Sequence, residues 1–195
     1  MILLCVDIGL INMGIAVVNV TNPNKMECKL AARVDITDFR CKGTTCTLSH
    51  EAMPVDWVAH FLRDYKTEFE SCDKVLLERQ PPGGFRCIEQ LLYQAYRQKT
   101  VFIQPRSFLA HFGIGAMEYD HRKAYLVRAA KRVYQNDVAT RALSAERAHD
   151  VADALMFAVY HVEKAKMYGC CADVTVDFER YTYTKAKLRC RPFPC

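Results

Sequence analysis

The sequence contains no apolar run long enough to cross a lipid bilayer as a helix. Its first residues lack the charged segment and the small-residue cleavage site of a secretory signal peptide. It also shows no internal repeat and no low-complexity segment. With 51% hydrophobic and 25% charged residues, its composition is typical of a globular domain and not of a disordered chain. We therefore predict one intracellular domain over residues 1–195, with no membrane partner.

Disulfide bonds are not expected, although the chain has ten cysteines. Without a secretory signal, these are expected to be reduced and mostly buried thiols. No two of them have the C-x2-C spacing typical of zinc sites, but two groups leave zinc binding open. They are Cys41, Cys46 and His50 in one group, and Cys170, Cys171, Cys190 and Cys195 in the other. A cysteine bridge between the subunits of a dimer is the remaining alternative.

A short apolar stretch with β-branched residues opens the chain at residues 2–9, and a turn follows it. A strand this apolar is expected in the middle of a sheet, buried on both faces. It nevertheless contains Asp7, and carboxylates are rarely buried unless they are paired or bind a metal. Asp7 therefore either caps the turn or is a catalytic acid at the end of a central strand, where open α/β sheets place their chemistry.

Apolar periodicity and turn residues predict the other elements. The further strands are 12–20, 26–36, 73–78 and 100–104, of which the first two extend the opening strand into an antiparallel meander. The helices are 85–98, 120–135, one from Pro54 to about Tyr65, and one capped by Ser144 that runs to about Lys166. Residues 37–53 and 108–119 are predicted loops, and a basic, aromatic extension begins at about residue 167.

Three further carboxylates resemble Asp7 in their context. Glu78 ends another apolar strand, and Asp150 and Asp153 lie three residues apart on the last helix and so share a face. An acidic turn near a helix N-terminus, stabilised by the helix dipole, is the simpler explanation of the last two. Four converging carboxylates would repel one another, and divalent cations with oxygen ligands would relieve the repulsion. Two such ions about 4 Å apart suit phosphodiester hydrolysis.

Three motifs carry a resemblance to a known family. They read DIGxxNxG at residues 7–14, VLLERQP at 75–81 and DVAD at 150–153. In this order they resemble the RuvC-type Holliday junction resolvases, and most closely the branch encoded by poxviruses and related large DNA viruses. The resemblance covers residues 2–166. The high cysteine content and the long middle loop depart from the family pattern.

The resemblance implies an α/β ribonuclease H-like fold, with a mixed five-stranded sheet flanked by helices. It implies a homodimeric endonuclease that cuts four-way DNA junctions symmetrically with Mg²⁺, two ions per site and Mn²⁺ able to substitute. Such an enzyme would serve viral DNA recombination and replication in the host cytoplasm. The implied metal ligands are Asp7, Glu78, Asp150 and Asp153. Lys123 fits the position of an auxiliary catalytic cation.

The charge distribution agrees with a nucleic-acid partner. Residues 97–147 contain ten Lys or Arg and four Asp or Glu, a local charge of +6 that exceeds the +5 of the whole chain. A basic surface beside an acidic metal site suits a phosphate backbone, whereas a solvated helix face is the simpler alternative. Selectivity should come mainly from junction shape. The candidate DNA contacts are Arg79, Arg122, Lys123, Arg128, Lys131 and Arg132.

Two other functions remain open. One is a junction-binding protein of the same fold without catalytic activity. The other is a small ATP-binding domain of the actin and sugar-kinase type, which also begins with a strand, an Asp and a Gly. Proteins of that type need two such domains, and this chain is too short for them and lacks a second glycine-rich phosphate loop. Cleavage of a four-way junction in Mg²⁺ separates the three.

Overall fold

A mixed sheet of five strands forms the centre of the structure, a computed structural model that describes residues 1–38 and 46–168. The strands are β1 (Ile2–Asp7), β2 (Met13–Asn22), β3 (Lys25–Val34), β4 (Lys74–Glu78) and β5 (Thr100–Ile103). Their order is β3-β2-β1-β4-β5. The first three are antiparallel, as the predicted meander requires, and β4 and β5 run parallel to β1. The predicted sheet is confirmed.

Seven helices within the described residues cover the two faces of this sheet. They are α1 (Pro54–Asp64), α2 (Lys66–Ser71), α3 (Arg86–Ala95), α4 (Pro105–His111), α5 (Tyr119–Val133), α6 (Asp137–Ala142) and α7 (Ala148–Tyr168). None of them is both long and apolar enough to pass through a membrane. The predicted extension beyond about residue 167 lies almost wholly outside the described residues.

The central strand β1 divides the core into two layers, because alternate side chains of a strand point to opposite faces. Leu3 and Cys5 pack with the layer of α4 to α7, and Leu4 and Val6 pack with the layer of α1 to α3. All four are fully buried. This confirms that the opening strand lies in the middle of the sheet with both faces covered.

One of the two loop predictions, that for residues 108–119, was wrong in part. Residues 108–111 belong to α4, which begins at Pro105, a residue well suited to a first helical turn. Phe108 anchors this short helix, since its ring lies 5.0 Å from that of Phe157 on α7. The helix ends before Gly113, whose φ of 66° is in the left-handed region. The loop is therefore confined to residues 112–118, between the end of α4 and the start of α5.

The last helix begins later than predicted. Ser144 does not cap it, because α7 starts at Ala148. Arg147 has a φ of 56°, in the left-handed region, so the backbone cannot continue as a helix towards Ser144. From Ala148 onwards the helix packs an apolar face against the sheet, on which Val151 and Leu155 are buried.

Buried thiols account for three of the cysteines. Cys5, Cys28 and Cys72 are buried and form no disulfide. Burial raises the pKa of the Cys28 thiol to about 11, and it also raises that of Cys5. These side chains are therefore neutral parts of the core, as expected from the sequence. Cys41 and the four C-terminal cysteines lie outside the described residues.

Candidate active site

Two carboxylates lie side by side at one edge of the sheet. The parallel strands β1 and β4 pair Val6 with Leu77, so the next residues, Asp7 and Glu78, end neighbouring strands at the same edge. Their carboxyl groups lie close enough to share a hydrogen bond when one of them is protonated. The central apolar strands thus fix the position of both acids, and the carboxyl groups meet where open α/β sheets commonly bind ligands.

A glycine allows α7 to bring a third acid to this edge. A Cβ atom at Gly14 on β2 would overlap the backbone carbonyl of Asp150 and would lie 3.3 Å from the Cβ of Asp7. Only a residue without a side chain permits so close an approach of α7 to the sheet. Three residues further along α7, Asp153 interacts with Asp7 and Glu78.

We expect Gly14→Ala to lower the free energy of unfolding by about 1–3 kcal/mol, because the new methyl group forces α7 away from β2. Gly115→Ala is the matched control, since no atom lies within 4 Å of a Cβ at that position. Urea unfolding of both variants measures the difference. Equal stability of the two variants would show that the contact between β2 and α7 is not tight.

Lys123 on α5 completes the cluster. Its ammonium group donates a hydrogen bond to Asp153 Oδ2, and α5 packs along α7. Burial disfavours the ammonium, but the negative charges of Asp153 and Asp7 outweigh this effect and raise the pKa of Lys123. The side chain therefore stays charged. The structure thus places the predicted auxiliary cation in direct contact with Asp153 and within the electric field of Asp7.

The three acids are held in an environment that opposes their ionisation. Burial is the largest cause that raises the pKa values of Asp7, Glu78 and Asp153, and mutual repulsion adds to it. One ammonium cannot neutralise three carboxylates. Across residues 1–38 and 46–168, Asp153 Oδ1 is also one of the few buried side-chain oxygens that lack a hydrogen-bond partner. Oxygen ligands and unbalanced negative charge fit a site for hard divalent cations such as Mg²⁺.

Asp150, the fourth predicted ligand, lies at the margin of this cluster. Its carboxylate accepts a hydrogen bond of 3.1 Å from Arg147 Nε and lies 3.3 Å from His149 Nε2. It repels Asp153, and so it belongs to the same electrostatic site. The structure therefore brings Asp7, Glu78 and Asp153 together and leaves Asp150 beside them with partners of its own.

Two residues that support the site were missed by the sequence analysis. Gln80 Nε2 donates a hydrogen bond of 2.6 Å to Glu78 Oε2. Glu89 on α3 is buried and accepts hydrogen bonds from the Gln80 backbone N–H, at 2.5 Å, and from Arg79 Nη1, at 2.9 Å. The signal for Glu89 was an acid next to the buried Ile88 on the apolar face of a predicted helix. Both residues hold the chain that follows β4.

The predicted DNA contacts divide into two groups. The guanidinium of Arg79 forms an ion pair with Glu89 and lies 4.2 Å from the centroid of the Phe102 ring. Contacts within the protein therefore explain its position without a contact to DNA. Arg122 is half-buried beside Tyr119. The side chains of Arg128, Lys131 and Arg132 are exposed further along α5. The exposed basic surface thus begins within one or two helical turns of Lys123.

Acids lie at the ends of two adjacent parallel strands and on a helix that packs against them. Together with the strand order, this arrangement defines a ribonuclease H-like α/β fold. Within that class, the chain belongs to the poxvirus A22 protein family, whose model matches residues 1–164. The resemblance to the poxvirus branch of the RuvC-type proteins is thereby confirmed. No curated protein sequence matches the chain.

Solved structures share this fold. The fowlpox virus resolvase, in a complex with substrate Holliday junction DNA, is 18% identical with a TM-score of 0.61, over 84% of this chain and 98% of that one. The yeast mitochondrial Holliday junction resolvase is 15% identical with a TM-score of 0.62, over 86% and 80%. RuvC of Thermus thermophilus is 16% identical with a TM-score of 0.57, over 86% and 97%. At such identities the likeness establishes the fold.

Proposed function

We propose that this chain is a metal-dependent endonuclease that resolves four-way DNA junctions by paired, symmetric hydrolysis of phosphodiester bonds. The convergence of Asp7, Glu78 and Asp153 beside Lys123 is the observation that carries the proposal. Membership of the poxvirus A22 family and the fold shared with the fowlpox virus resolvase support it. The reaction would serve viral DNA recombination and the resolution of replication intermediates, at viral replication sites in the host cytoplasm.

The acidic cluster is suited to hold Mg²⁺, and Mn²⁺ in its place. We assign Asp7, Glu78 and Asp153 as the central ligands of two ions, with Asp150 as a fourth ligand that exchanges its contacts with Arg147 and His149. When bound, the ions supply an activated water and stabilise the leaving oxygen. The protein contributes fixed carboxylate positions, and the hydrogen bond from Gln80 to Glu78 restricts one of them.

The basic residues of α5 have separate tasks in this proposal. Lys123 places a charged ammonium beside the acids, where a fixed cation stabilises the negative charge that develops on phosphate oxygens. Arg122, Arg128, Lys131 and Arg132 bind the DNA backbone near the site. Contacts with the DNA backbone do not distinguish between base sequences, so the shape of the branched DNA selects the substrate.

We expect a homodimer, because symmetric cutting of two strands needs two sites related by a twofold axis. The sequence suggests an apolar helical face within residues 85–96 as the interface. Ile88 and Leu92 on that face are buried inside the protomer, which disfavours it. Phe85, which is 39% exposed, remains available at the start of that helix. Light scattering at micromolar concentration measures the mass. A monomer that still makes paired cuts would contradict the expectation.

The deciding experiment is the cleavage of a labelled four-way junction with Mg²⁺, with a linear duplex of the same sequence as control. We expect paired cuts at symmetric positions in the junction, none in the duplex, and none without a divalent cation. Tight junction binding with no cleavage in Mg²⁺ or Mn²⁺ would instead indicate a junction-binding protein. ATP hydrolysis without DNA cleavage would indicate the ATP-binding alternative.

A further inference from the structure

A second group of metal-binding side chains lies outside the carboxylate site. Cys46 and His50 precede α1, and His60 lies within it. The three potential ligand atoms all lie within 4.8 Å of one another. Sulfur and imidazole nitrogen together are the ligands of zinc rather than of Mg²⁺. The sequence groups Cys46 and His50 with Cys41 as possible zinc ligands, and the structure adds His60 to the first two.

The distances in this group match those around a tetrahedral zinc ion. With Zn–N bonds of about 2.0–2.1 Å and a Zn–S bond of about 2.3 Å, two nitrogens lie about 3.3 Å apart and a nitrogen and the sulfur about 3.6 Å. In the structure, His50 Nε2 and His60 Nε2 are 3.3 Å apart. Cys46 Sγ and His60 Nε2 are 3.6 Å apart. Two of the three separations therefore already have the values that shared coordination requires.

The surroundings of His60 fix the orientation that metal binding needs. Its Nδ1 lies 2.7 Å from the backbone carbonyl of Asp56, which can only accept a hydrogen bond. Nδ1 therefore carries the proton in the neutral ring, and the lone pair of Nε2 points at Cys46 and His50. This is the usual arrangement of a zinc-bound histidine. The ring is 1% exposed, so it is held firmly.

The segment that carries the other two ligands is also fixed. The Asp56 carboxylate accepts hydrogen bonds from the backbone N–H groups of Glu51, at 3.1 Å, and Met53, at 3.4 Å. The Asp56 carboxylate therefore holds the segment that follows His50 against α1, and the Asp56 backbone carbonyl orients His60. Arg63 Nη1 donates a hydrogen bond of 3.1 Å to Cys46 Sγ, which holds the sulfur beside the two imidazoles.

From these contacts we infer that Cys46, His50 and His60 form a structural zinc site. The ion joins the segment before α1 to the middle of that helix, on the opposite face of the sheet from α7. Zinc in structural sites has four ligands, so one further donor completes the coordination. Cys41 lies outside the described residues and has no part in the inference. The alternative is a hydrogen-bonded group of two imidazoles and a thiol that binds no metal.

Metal analysis of the purified full-length chain tests this inference. We expect zinc to survive dialysis, and Cys46→Ser and His60→Gln each to lose about one zinc per chain relative to the wild type. Cys87→Ser is the matched control, because Cys87 is an exposed thiol outside the cluster, and it should keep the wild-type zinc content. Asp7→Asn should also keep it, which separates this site from the proposed nuclease site.

Cobalt substitution gives a second measurement, which does not require the His60→Gln variant to fold. The Co²⁺-loaded wild type should show the intense visible bands of tetrahedral coordination and a sulfur-to-metal charge-transfer band, and Cys46→Ser should lose the latter. A wild-type chain that takes up no zinc or Co²⁺ after reconstitution would overturn the inference. So would a Cys46→Ser variant that keeps the full zinc content of the wild type.

Discussion

Replacing Asp7 with asparagine is expected to slow junction cleavage by at least about a thousandfold, or about 4 kcal/mol in the barrier. Asparagine keeps the size of the side chain but removes one of the charges that we propose hold the divalent cations. Junction binding should change little, because it depends on the basic surface of α5. Single-turnover cleavage and electrophoretic mobility shifts measure the two quantities separately.

The same result is expected for Glu78→Gln and Asp153→Asn. Asp150→Asn tests whether Asp150 gives up its contacts with Arg147 and His149 to bind metal. If Asp150 is a metal ligand, this variant should lose as much cleavage activity as the other three. Wild-type cleavage rates in any two of the first three variants would sink the metal-site assignment.

Thermal unfolding provides the control that the Asp7 variant is folded. Burial raises the pKa of Asp7 in the folded chain. Without metal, Asp7 therefore increases the free energy of unfolding at low pH. This contribution is lost as the pH rises through the pKa of Asp7 in the folded state. Asparagine does not ionise. Metal-free Asp7→Asn should therefore unfold at a higher temperature than the metal-free wild type at pH 7. Added Mg²⁺ should reduce the difference between the two unfolding temperatures, because it stabilises mainly the wild type.

Lys123→Ala is expected to lower the single-turnover cleavage rate by at least about tenfold at saturating junction, a loss of roughly 1.4 kcal/mol. The ammonium contacts Asp153 and stays charged in the cluster, so it can act on charge that develops during phosphoryl transfer. Lys123→Arg, which keeps the charge, should recover part of the rate. Affinity for the junction should change little.

Arg128→Ala and Lys131→Ala are the matched controls for Lys123, because both side chains are exposed on the same helix. They should weaken junction binding and flatten its dependence on salt, while the rate at saturation stays normal. If Lys123→Ala instead loses affinity and cuts at the normal rate once saturated, Lys123 is a phosphate anchor and catalysis belongs to the metals alone.

The sequence predicted the sheet well because the apolar runs and turn residues of its strands are local signals. The short helix α4 escaped prediction, since its stability comes from Phe108 packing on a helix some fifty residues away. The start of α7 was wrong because it depends on the backbone angle of Arg147. Neither tertiary packing nor a single left-handed residue leaves a periodic pattern in the sequence.

The acids and Lys123 could be named from the order of three motifs, but their mutual arrangement could not. Nothing in the sequence showed that Asp150 would be engaged by Arg147 and His149. The supporting roles of Gln80 and Glu89 depend on contacts between β4 and α3, which spacing does not reveal. His60 was missed because it joins Cys46 only once α1 has folded.

The acidic cluster joins the two ends of the described chain, since Asp7 lies on the first strand and Asp153 on the last helix. During synthesis, the strand emerges from the ribosome long before the helix that completes the cluster. A prematurely terminated product that lacks α7 would therefore lack Asp150 and Asp153 of the proposed metal site, and we expect it not to cut DNA. The order of the chain thus delays completion of the proposed nuclease site until α7 has been synthesised.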